Sequence, residues 1–132
     1  MQPAQIIKSS SEYLANRNDV LFAYLFGSHA KGSATDRSDI DIAVFMDEDK
    51  GAKIDKLQFI QEISEALNTD SLDLVILNSA PIALINRVLQ KNSLLVDRNG
   101  YKRHLFESLN MRKYFDFSIY EKGILEKRFL NG

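Results

Sequence analysis

Cysteine is absent from the chain, which excludes disulfides, thiolate metal sites and a catalytic thiol. Histidine is nearly so: His29 and His104 are the only two, which argues against a histidine-rich zinc site. Long hydrophobic runs are also missing. No apolar stretch approaches the roughly 20 residues that a membrane span requires, and the N-terminus lacks the basic-then-apolar layout of a signal peptide. A cytoplasmic chain with no membrane association is expected. There is no excess of charge of one sign either, since 17 Lys and Arg stand against 18 Asp and Glu for a net charge of −1. A domain that grips a polynucleotide carries a basic excess to neutralise phosphates. Direct DNA binding is therefore not expected, and a bound nucleotide would be a small, metal-neutralised ligand.

What is present is the composition of an ordinary globular protein, 45% apolar and 27% charged over 132 residues. No repeat or linker interrupts it, so residues 1–132 are expected to form one domain with its own core. A loose helical pattern runs from about Ala4 to Asn16. Val20 to Phe26 (VLFAYLF) is a nearly continuous apolar run, as in a strand buried on both faces. A turn-prone stretch (GSHAKGSATDRS) follows, and Asp39 to Phe45 (DIDIAVF) reads as a second strand. Apolar residues at three- and four-residue spacing from about Ala52 to Leu67, Ile54 among them, predict an amphipathic helix. Ser71 to Leu77 reads as a third strand, and Pro81 opens a helix to about Gln90. Ser93 to Val96 suits an edge strand. The segment from about Tyr101 to Leu130 reads as helical, with Gly123 a candidate break. The order predicts an α/β (α+β) fold, a small mixed sheet flanked by helices.

Asp39 and Asp41 are two apart on a predicted strand, so their side chains leave the same face, while Ile40 and Ile42 point to a core. Two carboxylates about 5–6 Å apart repel by on the order of 3 kcal/mol at an effective dielectric near 20. A cation between them turns that cost into a gain. Asp73 is the one charged residue within the apolar run LDLVIL, where an ionised group is costly unless paired or metal-bound. If the third strand lies beside the second, Asp73 completes a cluster of three acids. Carboxylate-rich sites suit Mg²⁺ or Mn²⁺, and two such ions can clamp an in-line displacement at phosphorus. An isolated Asp-x-Asp more often binds nothing, so it is the combination that points to chemistry.

Gly27-Ser28 follows the first strand directly. Glycine lets backbone approach a ligand, and a serine hydroxyl with backbone N–H groups at a helix start can hold phosphate oxygens. Gly27 to Gly32 has the glycine spacing of a P-loop, but Ser33 stands where that motif needs lysine. Asp36 to Asp41 has acids in the style of a calcium loop but lacks its glycine and distal glutamate. Lys31 and Arg37 could neutralise phosphate or simply be solvated. His29 reads as a turn residue and Asp47-Glu48-Asp49 as an exposed turn.

The stretch GSHAKGSATDRSDIDIAVF resembles the signature of the DNA polymerase β-type nucleotidyltransferase superfamily, within it the minimal nucleotidyltransferase (MNT) branch: Gly-Ser, ten residues, Asp-x-Asp. Gly27, Ser28, Asp39 and Asp41 match without a gap, as do Ala30, Lys31 (often arginine in the family), Gly32, Arg37 and Ser38. Asp73 sits where the superfamily has its third acid. The likeness covers about residues 3–120, with the YFDF tail (Tyr114 to Phe117) also similar. It implies that Gly27 and Ser28 bind the triphosphate of ATP, with Lys31 and Ser38 beside them. It implies too that Asp39, Asp41 and Asp73 are catalytic and ligate two Mg²⁺ ions. In this branch the domain is commonly paired with a HEPN-domain ribonuclease toxin. The nucleotidyltransferase acts as its antitoxin, transferring AMP from ATP to a tyrosine on it.

Larger relatives add a domain for the acceptor, so here a partner protein is expected to present the nucleophile. Two alternatives stand: a small-molecule acceptor of the aminoglycoside type, and a non-catalytic antitoxin that masks its partner sterically. The C-terminal segment is rich in aromatic and aliphatic residues (Phe106, Leu109, Tyr114, Phe115, Phe117, Tyr120, Ile124, Phe129). A helical aromatic stripe is more often core than interface, so core packing is the first expectation there and partner contact the second.

Overall fold

The computed structural model describes residues 2–35, 37–50 and 55–130, the side chains at 50 and 124–130 excepted. Asp36 and the expected helix start at Ala52 and Ile54 lie outside these residues, as do the side chains of Ile124 and Phe129.

The chain runs α1 (Pro3–Ala15), β1 (Val20–Phe26), α2 (Ser28–Lys31), β2 (Ile40–Met46), α3 (Lys56–Leu67), β3 (Leu72–Ile76), α4 (Ile82–Gln90), β4 (Ser93–Asp97) and α5 (Gly100–Leu130). Short 3₁₀ turns follow β2 and β3. The four strands form one mixed sheet in the order β3-β2-β1-β4. Strand β1 pairs antiparallel with β2 and with β4, while β2 and β3 are parallel. A parallel pair needs a crossover, and α3 supplies it. The uninterrupted apolar run of β1 is explained by its place: it is central, with helices on both faces, and all of it but Leu21 is buried.

Alternation along the strands divides the core in two. Ala23, Leu25, Ile42, Val44 and Leu74 point to one face, where Ile6 and Leu14 of α1 and Phe59, Ile63 and Leu67 of α3 cover them. The four-residue recurrence in α3 gives it one apolar stripe. Its first turn is capped by Asp55, whose carboxylate accepts the Gln58 N–H at 3.1 Å. Asn68 ends the helix in the left-handed region at φ 52°. On the other face Phe22, Tyr24, Phe26 and Ala43 are covered by Ile85 and Val88 of α4 and by Phe106 of α5.

Helix α5 is held by its first turns. Phe106 meets Phe22 and Phe45 at centroid distances of 5.5 and 5.2 Å, and those two rings stack at 4.8 Å. The Tyr24 hydroxyl donates to Glu107 at 2.7 Å. Arg103 bridges Glu107 at 3.1 Å and Asp97 at 2.9 Å. Beyond these turns the expectation of core packing is overturned. Leu109, Phe115, Phe117, Ile119 and Tyr120 are exposed, Phe115 by 64% and Tyr120 by 67%. The physical reason is length: 31 residues at about 1.5 Å each outrun a sheet of seven-residue strands. Gly123 does not break the helix, since glycine costs only about 1 kcal/mol in a helix interior. Among the described residues no helix is long and apolar enough to cross a membrane.

Candidate active site

Strand register sets Asp73 beside Asp41. Phe26, the last residue of β1, pairs with Asp41, and Asp41 in turn pairs with Asp73 across the parallel β2–β3 ladder. Register partners on adjacent strands present side chains to the same face. Asp41 shares its face with Ala43 and Asp73 with Val75, so both carboxylates lie on the face that α4 and α5 cover, at its open end. Asp39 stands one residue ahead of β2, two before Asp41. Asp39 and Asp73 are exposed, whereas Asp41 is half-buried.

The electrostatics follow from that placement. The Asp41 carboxyl is held above its ordinary range, first by burial and then by the charges of Asp73 and Asp39; Arg87 and His29 pull in the opposite direction. Each neighbouring acid thus makes ionisation of Asp41 costlier, and a hard divalent cation beside them would reverse the sign. Among the described residues no three His, Asp or Glu side chains stand together as a group that could hold a metal ion. The shared face, the oxygen-only donors and the strained ionisation of Asp41 fit Mg²⁺ or Mn²⁺.

Gly27 is where the chain turns off β1, with φ 74° and ψ −152°, a combination that side-chain-bearing residues rarely adopt. A Cβ there would run into the Asp41 carboxylate, whose carbon lies 3.1 Å from that position. The backbone of the loop is therefore laid directly against the acid. Ser28 begins α2, a single turn closed by Gly32 at φ 75°, with the Ser33 N–H bonded to the Ser28 carbonyl at 3.0 Å. Lys31 is exposed at the end of that turn.

Ser38 is engaged within its own loop, its hydroxyl accepting the Thr35 N–H at 2.9 Å and its N–H reaching the Thr35 carbonyl at 3.0 Å. Its carbonyl lies 3.4 Å from His29 Nε2. The structure thus brings Gly27, Ser28, Asp39, Asp41 and Asp73 to one end of the sheet and sets Lys31 and Ser38 along the loop that joins them. Arg87, whose charge reaches Asp41 from α4, was not singled out by the sequence; a lone arginine on an amphipathic helix carries no motif.

A family model described as polymerase beta nucleotidyltransferase matches residues 8–101. No curated protein matches the chain. Among solved structures, a chain from a toxin–antitoxin crystal structure with AMP-PNP is 26% identical, with 98% of this chain and 99% of that one covered and a TM-score of 0.72. A mutant MntA–HpeT toxin–antitoxin with two aspartate-to-glutamate substitutions is 25% identical, with coverage of 98% and 99% and a TM-score of 0.72. A tri-AMPylated Shewanella oneidensis HEPN toxin in complex with MNT antitoxin matches at 24% identity over 98% and 99% with a TM-score of 0.67, a likeness of fold.

Proposed function

The chain belongs to the polymerase beta nucleotidyltransferase family, and on that premise we propose that it is the antitoxin of a toxin–antitoxin pair, a cytoplasmic Mg²⁺-dependent enzyme that transfers AMP from ATP to a tyrosine of a HEPN ribonuclease partner. Residues 1–132 are read as one catalytic domain with the helical segment from about 101 as its outer arm. The observation that carries the reading is the Phe26–Asp41–Asp73 register, which stacks the loop exit and two acids at one sheet end.

Asp39, Asp41 and Asp73 are the groups that would hold two Mg²⁺ ions, which when bound supply charge neutralisation along the triphosphate and polarisation of the α-phosphorus. The chain's own part is positioning. Gly27 has no side chain, so the loop backbone lies directly against Asp41 and can bring its N–H groups beside the acid that would hold the metal. Ser28 offers a hydroxyl and an N–H at the start of α2, and Lys31 and Ser38 flank them. Asp73 is exposed and can accept or orient the proton of an incoming tyrosine hydroxyl. The acceptor attacks the α-phosphorus, the α–β bridge breaks and pyrophosphate leaves. The adenine nucleotide and toxin named for the similar structures support this choice of donor and partner.

The test is incubation with labelled ATP, Mg²⁺ and the product of the adjacent gene. Label should reach that protein, and Asp39→Asn with Asp41→Asn should abolish transfer. The exposed apolar side of α5 favours a second reading, neutralisation by steric cover alone. Under that reading the double variant still silences the toxin.

A further inference from the structure

Helix α4 is delivered to the acidic end of the sheet by its connections. It starts beyond β3, crosses the face that carries Phe22, Tyr24 and Phe26 with its own Ile85 and Val88 turned to that core, and ends three residues before β4. Strand β4 begins at Ser93, which pairs with Leu25, one residue short of the Phe26–Asp41 pair. The last turn of α4 therefore overhangs the site, and Arg87 lies in it, exposed. It lies near enough to Asp41 for its charge to reach that side chain. Yet among the described residues Arg87 forms no ion pair, whereas Arg17 and Arg103 are each bonded to two acids. A guanidinium in the turn above a carboxylate pair but bonded to neither member is a charge available to a ligand.

We propose that Arg87 is a substrate-binding residue that grips the β- and γ-phosphates of the nucleoside triphosphate from the α4 side, opposite the Gly27-Ser28 loop. This rests on the nucleotidyltransferase reading above. A planar guanidinium offers two parallel N–H donors matched to phosphate oxygens, which lysine does not. The charge balance is also sensible. Three acids and a triphosphate need more positive charge than two divalent ions bring, and the described residues of the loop contribute Lys31 and Arg37, both exposed. A plain helix-end role, in which Arg87 meets only the negative pole of α4, is the competing explanation.

Titration with AMP-PNP and with AMP, each with Mg²⁺, separates these in the full-length chain. Arg87→Ala should weaken AMP-PNP binding by about tenfold or more, the loss of one charged phosphate contact. AMP, which has no β- or γ-phosphate, should be affected far less. Arg87→Lys should recover part of the loss. Lys8→Ala, the same change of charge on the opposite face, should leave both ligands unaffected. Equal AMP-PNP affinity in wild type and Arg87→Ala would overturn the inference alone, as would equal weakening of AMP and AMP-PNP. Failure of the wild-type chain to bind AMP-PNP would overturn it together with the enzymatic reading.

Discussion

Two residues bear opposite kinds of strain at the site. Gly27 holds a backbone conformation that only glycine occupies readily, and the place its Cβ would take is filled by the Asp41 carboxylate. Gly27→Ala should therefore cost about 1–3 kcal/mol of stability and remove nucleotide binding, read by thermal melting and by AMP-PNP titration. Asp41 bears an electrostatic strain. Its carboxyl titrates above the ordinary 3.8, so the folded state holds its proton more tightly than the unfolded chain does. The ionised form is then a cost at neutral pH, one that fades as pH falls from above the raised value toward 3.8. Asp41→Asn should raise the melting temperature at pH 7 without metal, yet lower transfer by about a thousandfold. Mg²⁺ should stabilise the wild type and not the variant, because only a ligand that binds the folded form shifts the melt.

At the level of elements, the joint between α5 and the sheet is a polar one laid over aromatic rings. Burial, and then the Glu107 carboxylate, push the Tyr24 phenol far above its ordinary 10. A raised folded value means stability that is complete below pH 10 and lost as pH climbs past it, when the unfolded chain ionises first. Alkaline melting should fall off above pH 10, and Tyr24→Phe should flatten that decline while costing about 1 kcal/mol at neutral pH. Most elements were legible beforehand because their patterns have one physical solution. VLFAYLF can be buried only as a central strand, and Asp73 stood out because an acid within LDLVIL has to be accounted for. Helix α5 is where the sequence misleads, since an aromatic-rich helix reads the same whether its rings are covered by its own sheet or left exposed. The bridge from Tyr24 to Glu107 spans most of the sequence and leaves no local trace.

For the molecule as a whole, a net charge of −1 gives little mutual repulsion to offset the apolar side chains left bare on α5. The isolated chain should self-associate at high concentration, as light scattering would report. Phe115→Glu combined with Ile119→Lys should suppress that and leave the melting temperature within about 1 °C, because neither side chain is buried. Under the antitoxin reading the same pair should abolish capture of the partner by size-exclusion chromatography while ATP binding persists.

Clamping a stiff helix at one end has a geometric result. Its first turns are bolted to the strand that supplies Phe26 and, through Phe45, to the strand that supplies Asp41. A protein that seizes the outer turns is thereby suspended at a set offset from the acids. Only side chains lying on one narrow arc of such a visitor can touch down where the phosphorus would be.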